Sequence, residues 1–222
     1  MCYSALFQTH ASPSVQDLYS GQPGSVDPTS PVTSLDQLFA QTYALGPILL
    51  AKVKAWARPA GLFPVRQLDS NPRRPEFVKW SEVEGTEREE RVKWGKIKTE
   101  ERAIEKLLRS YGSDVSNLVD LCRQSIIFDD PADLLACVKA IRDDAEVVIV
   151  RIKNRLRTDY DSRESAGYRD VLLNLRVETE ETMVVGVETH VCEVQLILRH
   201  FAQLKSDEGH RNYVHFRNAR GE

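Results

Sequence analysis

Two stretches decide the fold of this chain: GYRDVLLNLRV at residues 167–177 and HVCEVQLIL at residues 190–198. Apolar and polar residues alternate in both, and a strand turns successive side chains to opposite faces of its sheet. Two neighbouring strands would therefore share one polar face. Its side chains are Asp170, Asn174, Arg176, Glu193 and Gln195. Because such groups are costly to bury without partners, this face is either the floor of a site for a charged ligand or the solvated face of an antiparallel sheet.

The chain as a whole predicts an α+β fold, with a mixed five-stranded sheet flanked by helices and a helical N-terminal extension. Short apolar or alternating runs mark the strands. They lie at residues 124–128, 146–154, 170–177, 182–187 and 189–196.

Apolar residues at helical spacing predict the helices. Ser34 is a typical N-cap for a first helix, which Pro47 would interrupt or split. A second helix has a buried stripe made by Ala103, Ile104, Leu107 and Leu108. A third begins at Pro131, and a closing helix spans residues 197–213. Residues 59–78 are predicted to be an irregular crossing loop, and residues 79–92 a solvated acidic helix or loop.

The composition is that of a globular protein, with 41% hydrophobic residues, 28% charged residues and a formal net charge of −3. No global basic field recruits nucleic acid. The four cysteines form no C-x-x-C pair, which argues against a zinc site or a disulfide framework. No apolar run is long enough for a membrane span and no secretory signal is visible, so we expect a cytoplasmic location. P-loop and G-x-G-x-x-G motifs are absent.

A row of cations follows one face of the second helix. Its members, at steps of four, four and three, are Lys98, Arg102, Lys106 and Arg109. Such a row can bind a polyphosphate through charge-assisted hydrogen bonds. The alternative is an exposed face on which Glu101 and Glu105 form weak ion pairs with the cations.

Gly167-Tyr168-Arg169 before an apolar strand, then Glu193-Val-Gln195-Leu and a helix containing Glu208-Gly209-His210, resembles the synthetase domain of RelA/SpoT-type alarmone synthetases. The similarity extends over residues 93–217. It implies transfer of pyrophosphate from ATP to the ribose 3′-hydroxyl of GDP or GTP, by an enzyme of the GTP/GDP pyrophosphokinase type. The resemblance implies a synthetase domain at 93–222. Before it, composition rich in Ser, Pro and Gly predicts a disordered segment (1–34), and helical spacing predicts a helical extension and linker (35–92).

The resemblance also assigns the ATP and metal sites. Lys96, Lys98 and Lys106 have the spacing of the family's ATP contacts, and Arg102 replaces the usual Ser between them. Arg123 joins this group. Mg²⁺ is expected on Asp120 and Glu193, because hard cations take carboxylate oxygens. Asp114 is a second choice for the aspartate.

The acceptor site is assigned in the same way. Tyr168 is expected to stack on the acceptor base, and Lys153 to support phosphates. Glu193, with Gln195 beside it, would orient or deprotonate the attacking hydroxyl. We also place Arg169, Asn174 and His210 in the acceptor site.

Other readings of the sequence stay open. Relatives in this family modify adenosine nucleotides or the 3′ end of tRNA, and cations outside the predicted site could offer phosphate contacts to RNA. These are Arg73, Arg74, Arg155, Arg157 and Arg163. A catalytically inactive nucleotide-binding or interaction module is the non-enzymatic alternative. No membrane partner is expected, and an oligomer is possible.

Overall fold

The computed structural model describes Val32 and residues 34–66, 75–165 and 167–204. The helices are α1 (Leu35–Ala57), α2 (Trp80–Val83), α3 (Glu100–Ser110), α4 (Pro131–Arg142), α5 (Glu180–Val184) and α6 (Arg199–Leu204). The strands are β1 (Leu62–Pro64), β2 (Phe77–Lys79), β3 (Arg123–Phe128), β4 (Val147–Asn154), β5 (Val171–Val177) and β6 (Cys192–Leu198). Expected contacts at Arg73, Arg74 and His210, and the end of the predicted closing helix, lie outside the described residues.

The six strands form one mixed sheet in the order β2-β1-β3-β6-β5-β4. β3 and β6 are parallel, and the other neighbours are antiparallel. This confirms an α+β fold with a mixed sheet, but the predicted count of five strands is wrong. β1 and β2 lie in the segment expected to be an irregular loop, where short length and several prolines hide the strand pattern.

The strand predicted at residues 182–187 is a helix instead. Thr179 caps α5, and its side chain and that of Thr182 each bond to the other residue's backbone N–H. Gly186, at a φ of 68°, then turns the chain away. The β-branched run has strand propensity, but a reciprocal capping box and a glycine turn determine the local structure.

Helix α1 runs without a break through Pro47, contrary to the prediction that it would be interrupted or split. A proline removes the hydrogen bond to the carbonyl four residues earlier, here that of Tyr43. Both residues are on the exposed side of the helix, so water can satisfy that carbonyl.

The main core lies on one face of the sheet, under α1 and α4. Leu45, Leu49 and Val53 of α1 meet Leu173 and Val194 of the central strands there. One side of β5 and one side of β6 belong to this core: Val171, Leu173, Leu175, Val177, Cys192, Val194 and Leu196. The alternation predicted for these two strands is therefore confirmed. In β4 the register shifts between Ile149 and Arg151, so Ile149 packs on the core while Arg151 lies on the opposite face, paired with Asn174.

Two smaller clusters complete the interior. The α3 cluster consists of Val32, Leu38, Phe39, Ala103, Leu107, Leu118, Val119, Leu121 and Val191. The α6 cluster consists of Leu62, Ile127, Ile197 and Ala202. Half of the predicted stripe of α3 is correct, because Ala103 and Leu107 are buried. Ile104 and Leu108 are 46% and 68% exposed.

Val32 lies inside the segment for which we predicted no packing, yet it is buried in the α3 cluster. Ser34 caps α1 by accepting from the Gln37 N–H. We expect a chain that begins at Leu35 to be less stable than one that begins at Val32 by about 2 kcal/mol, from lost apolar burial and a lost cap. Urea unfolding of both would measure this difference. Equal midpoints would show that neither residue contributes.

A buried polar group joins α1 to the start of β6. The His190 ring contacts Gln41 Oε1 at 3.0 Å and Thr42 Oγ1 at 3.3 Å. Burial lowers the pKa of His190 from 6.5 to about 4. The ring is therefore neutral in the folded protein at pH values where the unfolded chain binds a proton.

This difference predicts acid sensitivity. Between pH 6.5 and 4 the unfolded state holds the extra proton, so stability falls as pH falls, by about 3 kcal/mol in total from this group. His190→Gln should flatten the pH dependence of the unfolding free energy across that window. His200→Gln, at an exposed position of α6, is the matched control and should leave it unchanged. The same slope in parent and His190 variant would contradict the prediction.

Within the part of the chain that the structure describes, no helix has the length and apolar character to cross a membrane.

Candidate functional site

A polar row crosses four strands on the face opposite the main core. The row consists of one residue from each of β3, β6, β5 and β4, paired in register: Arg123, Glu193, Asn174 and Arg151. Arg151 donates from Nε to Asn174 Oδ1 at 2.9 Å. Ser125 and Gln195 are paired one step further along β3 and β6. Sheet pairing thus assembles the polar face that alternation predicted.

The polar row lies between the two small clusters. Along β6, residues 191, 193, 195 and 197 share a face. Val191 belongs to the α3 cluster and Ile197 to the α6 cluster, so Glu193 and Gln195 lie between apolar walls. A charged floor between apolar walls strengthens electrostatic interactions with anything bound there.

Asp120 enters the site from the turn before β3. It pairs with Lys98, and its Oδ2 is 3.0 Å from Lys106 Nζ. Burial alone would raise the pKa of Asp120, but Lys106 and Lys98 hold it below its ordinary value. Burial lowers the pKa of Lys98, whereas Asp120 and Tyr111 together outweigh burial and raise the pKa of Lys106. The structure therefore brings together two of the predicted phosphate-binding lysines and the predicted metal-binding aspartate.

Glu193 faces the same space. Burial, and next the negative charge of Asp120, raise the pKa of its carboxyl. Gln195 Nε2 donates to Glu193 Oε1 at 2.9 Å and orients it. Asp120 Oδ1 is buried and has no hydrogen-bond partner. Two repelling carboxylates and one unsatisfied oxygen suit a hard divalent cation. They are a pair only, since the described residues contain no group of three or more His, Cys, Asp or Glu side chains placed to hold a metal.

Tyr168 lies at the other end of the site, against the α6 cluster. Burial, and next the negative charge of the neighbouring Asp170, raise the pKa of its phenol. Asp170 is fully buried and also accepts from Arg155 Nη1 at 2.6 Å. Alternation predicts Asp170 on the polar face, but no pattern in the sequence indicates its link to Tyr168 and Arg155. The antiparallel pairing of β4 with β5 brings Arg155 to Asp170: beside the last ladder pair, Asn154 and Val171, the Arg155 N–H donates to the Asp170 carbonyl at 2.8 Å.

Arg169 lies outside the polar row. Its guanidinium donates to the backbone carbonyls of Arg155, Arg157 and Tyr160 at 3.0, 2.8 and 3.0 Å. In the structure it therefore supports the loop before Tyr168. A guanidinium used by three carbonyls has few donors left for a ligand.

The other predicted site residues are placed less centrally. Lys96, Arg102 and Lys153 are exposed, the first two near α3 and the third on β4. Asp114 caps the turn at residues 115–117, where its carboxylate accepts from the Ser116 N–H and hydroxyl and from Asn117 Nδ2. Of the two candidate aspartates, only Asp120 has an unpartnered carboxylate oxygen.

Comparisons with known proteins give matches in structure alone. No protein-family model and no curated protein matches the sequence. Small alarmone synthetase 1 from Bacillus subtilis matches with a TM-score of 0.54 and 14% identity, over 81% of this chain and 79% of that one. The chain has the fold of the small alarmone synthetases.

Two further solved structures agree. Small alarmone synthetase 2 from Bacillus subtilis matches with a TM-score of 0.50 and 17% identity, over 82% of this chain and 81% of its own. A GTP pyrophosphokinase family protein from Streptococcus pneumoniae matches with a TM-score of 0.51 and 13% identity, over 80% and 76%. The synthetase fold thus holds across most of each chain, at low sequence identity.

Proposed function

We propose that the protein transfers pyrophosphate from ATP to the ribose 3′-hydroxyl of a guanosine nucleotide, GDP or GTP. One observation carries the proposal: on a synthetase-like sheet, the carboxylates of Asp120 and Glu193 share a site with the cations Lys98, Lys106 and Arg123. Phosphoryl chemistry needs positioning and charge neutralisation rather than a covalent intermediate. This site offers both.

ATP phosphates would bind at the cationic side of the site. Lys98 and Lys106 point at Asp120, and Arg123 stands in the polar row beside Glu193. Lys96 and Arg102 are at exposed positions nearby and would reach outer phosphate oxygens. Desolvated ammonium groups next to a phosphate chain interact more strongly than the same groups in water.

Asp120 and Glu193 would hold Mg²⁺. The ion, when bound, neutralises phosphate charge and makes the β-phosphorus more electrophilic. The unsatisfied oxygen of Asp120 and the mutual repulsion of the two carboxylates support this assignment.

Glu193 would also act on the acceptor. Its carboxylate lies in the polar row between Arg123 and Asn174, where it would accept the proton of the attacking hydroxyl as a general base. The 3′-oxygen then forms a bond to the β-phosphorus, the bond to the oxygen shared with the α-phosphorus breaks, and AMP leaves. The hydroxyl proton goes to Glu193 and from there to water. Gln195 keeps the carboxylate oriented.

The acceptor would lie across the sheet toward Tyr168. Asn174 is buried in the polar row with an unpartnered amide nitrogen, a donor available to a ligand. Lys153 is exposed on β4, where it would meet acceptor phosphates. Arg169 contributes indirectly, through the loop that it holds before Tyr168.

The test is a transfer assay with γ-labelled ATP and Mg²⁺. GDP, GTP, ADP, ATP and uncharged tRNA are supplied in separate reactions, and labelled products and AMP are separated. A labelled guanosine product with stoichiometric AMP is expected. Label on an adenosine nucleotide or on tRNA would show that the same transfer occurs with a different acceptor. Tight ATP binding with no AMP from any acceptor would favour an inactive module.

Tyr168→Ala is expected to raise the KM for the acceptor by about tenfold and to leave ATP binding little changed, because base stacking on an aromatic ring contributes roughly 1–3 kcal/mol. Tyr168→Phe, which keeps the ring and removes the phenol near Asp170, is the matched control and should retain acceptor use. Initial rates at varied acceptor concentration would show this. A loss of thermal stability with unchanged kinetics per folded molecule would mean that Tyr168 serves packing alone.

A further inference from the structure

We infer that Gln124 is a positioning residue for the ATP phosphates, acting through Gly95 on the lysines at 96 and 98. This inference rests on the proposed function. Gln124 follows Arg123 on β3, and alternation turns its side chain away from the polar row. Gln124 therefore touches a different segment of the chain, not the site itself.

The contact between Gln124 and Gly95, here called the Gly95 latch, has two hydrogen bonds. The Gly95 N–H donates to Gln124 Oε1 at 2.8 Å. Gln124 Nε2 donates to the Gly95 carbonyl at 3.4 Å. A side-chain amide that meets both groups of one peptide backbone imitates a strand partner. It fixes the position and the orientation of that residue.

The latch requires glycine for a steric reason. A Cβ built on Gly95 would lie 2.4 Å from the Arg123 carbonyl oxygen and 2.9 Å from Gln124 Oε1. Real side chains do not come that close to backbone, so any other residue would push the segment away from β3. The close approach brings the residues that follow Gly95 next to the start of the strand that carries Arg123.

The segment is anchored on both sides of the two lysines. Before the latch, the Trp94 ring packs on Phe63 and Trp80 with centroids 4.7 and 5.4 Å apart. After it, Ile97 packs on the α3 cluster and Lys98 pairs with Asp120. Between these anchors, the latch is the polar contact that ties the backbone to β3.

The physical role of the latch is preorganisation. A phosphate-binding segment that is already ordered costs less conformational entropy when ATP binds. Without the latch, Lys96 and Lys98 would become ordered only when ATP binds. Because binding would then carry that entropy cost, affinity for the triphosphate would drop. The acceptor end of the site, at Tyr168, lies on the far side of the polar row and should not respond.

Gln124→Met tests the inference, because methionine keeps the length of the side chain and loses both hydrogen bonds. The ligand is α,β-methylene-ATP with Mg²⁺, in which the bond broken by transfer is blocked. We expect about threefold to tenfold weaker binding, the scale of a net hydrogen-bond contribution, with KM for the acceptor unchanged. Gln203→Met, at an exposed position of α6, is the matched control and should bind like the parent.

Gly95→Ala provides an independent second variant. It should weaken ATP binding at least as much as Gln124→Met, and the double variant should bind like Gly95→Ala alone, because both changes break one latch. Amide hydrogen exchange measures the protection of the Gly95 N–H in the absence of any ligand. This N–H should exchange faster in Gln124→Met than in the parent.

The outcomes separate the two proposals. Faster exchange with weaker ATP binding supports the positioning role. Parent-like ATP binding in Gln124→Met, or additive effects in the double variant, would overturn that role and leave the proposed function standing. If the parent protein binds no ATP analogue, the proposed function is wrong, and so is the positioning role that rests on it.

Discussion

Glu193→Gln is expected to lower the rate of pyrophosphate transfer by at least about 100-fold, the low end of what a positioned acid or base contributes. The amide has the same shape but accepts no proton and gives no charge to a cation. The stability of the fold, in contrast, should stay the same or rise. Because burial and Asp120 raise the pKa of Glu193, its folded state holds a proton more tightly than the unfolded chain does, and ionised Glu193 opposes folding at neutral pH.

The variant should therefore melt at the same temperature as the parent or above it. Thermal unfolding beside steady-state rates with ATP and the preferred acceptor would measure both effects. Glu181→Gln, on the exposed surface of α5, is the matched control for loss of one carboxylate. Near-full turnover in Glu193→Gln would show that this carboxylate is not the one on which transfer depends.

Asp120→Asn is expected to lose both activity and stability. The aspartate lies between Lys98 and Lys106, and both side chains are largely buried beside it. Removing one partner of a buried ion pair leaves charge without compensation, which typically costs about 3 kcal/mol or more. The transfer rate should fall as well, because the carboxylate assigned to Mg²⁺ is gone. Urea unfolding and transfer assays on the same preparation would test this pair of effects.

Asp114→Asn separates the two candidate aspartates. Asparagine can still cap the turn at residues 115–117, so stability should change little and transfer should continue. If Asp114→Asn abolished transfer while Asp120→Asn retained it, the metal assignment would have to move to Asp114. The contrast between Asp120→Asn and Glu193→Gln is also informative, since one is predicted to destabilise the fold and the other is not.

Alternation in β5 and β6 was sufficient to predict the centre of the sheet and its two faces. Leu173 and Val194 had to be buried, and Asn174 and Glu193 had to lie opposite them, because a strand reverses side chains at every residue. The sequence failed where the local signal was short or mixed. β1 and β2 have three residues each, and their pairing with β3 is a long-range effect. At α5, a capping box outweighed a β-branched run.

The site was predictable in its chemistry but not in its contacts. Residue type and spacing singled out Lys98, Lys106, Asp120 and Glu193, since phosphate needs cations and hard metal ions need carboxylates. Only the tertiary structure decided that Asp120 lies between the two lysines, that Arg169 supports a loop, and that Gln124 holds Gly95. The physical reason is the separation along the chain between the residues that interact. Alternation depends on neighbouring residues, whereas these contacts join groups from 9 to 29 positions apart along the chain, which only the packed structure brings within hydrogen-bonding distance.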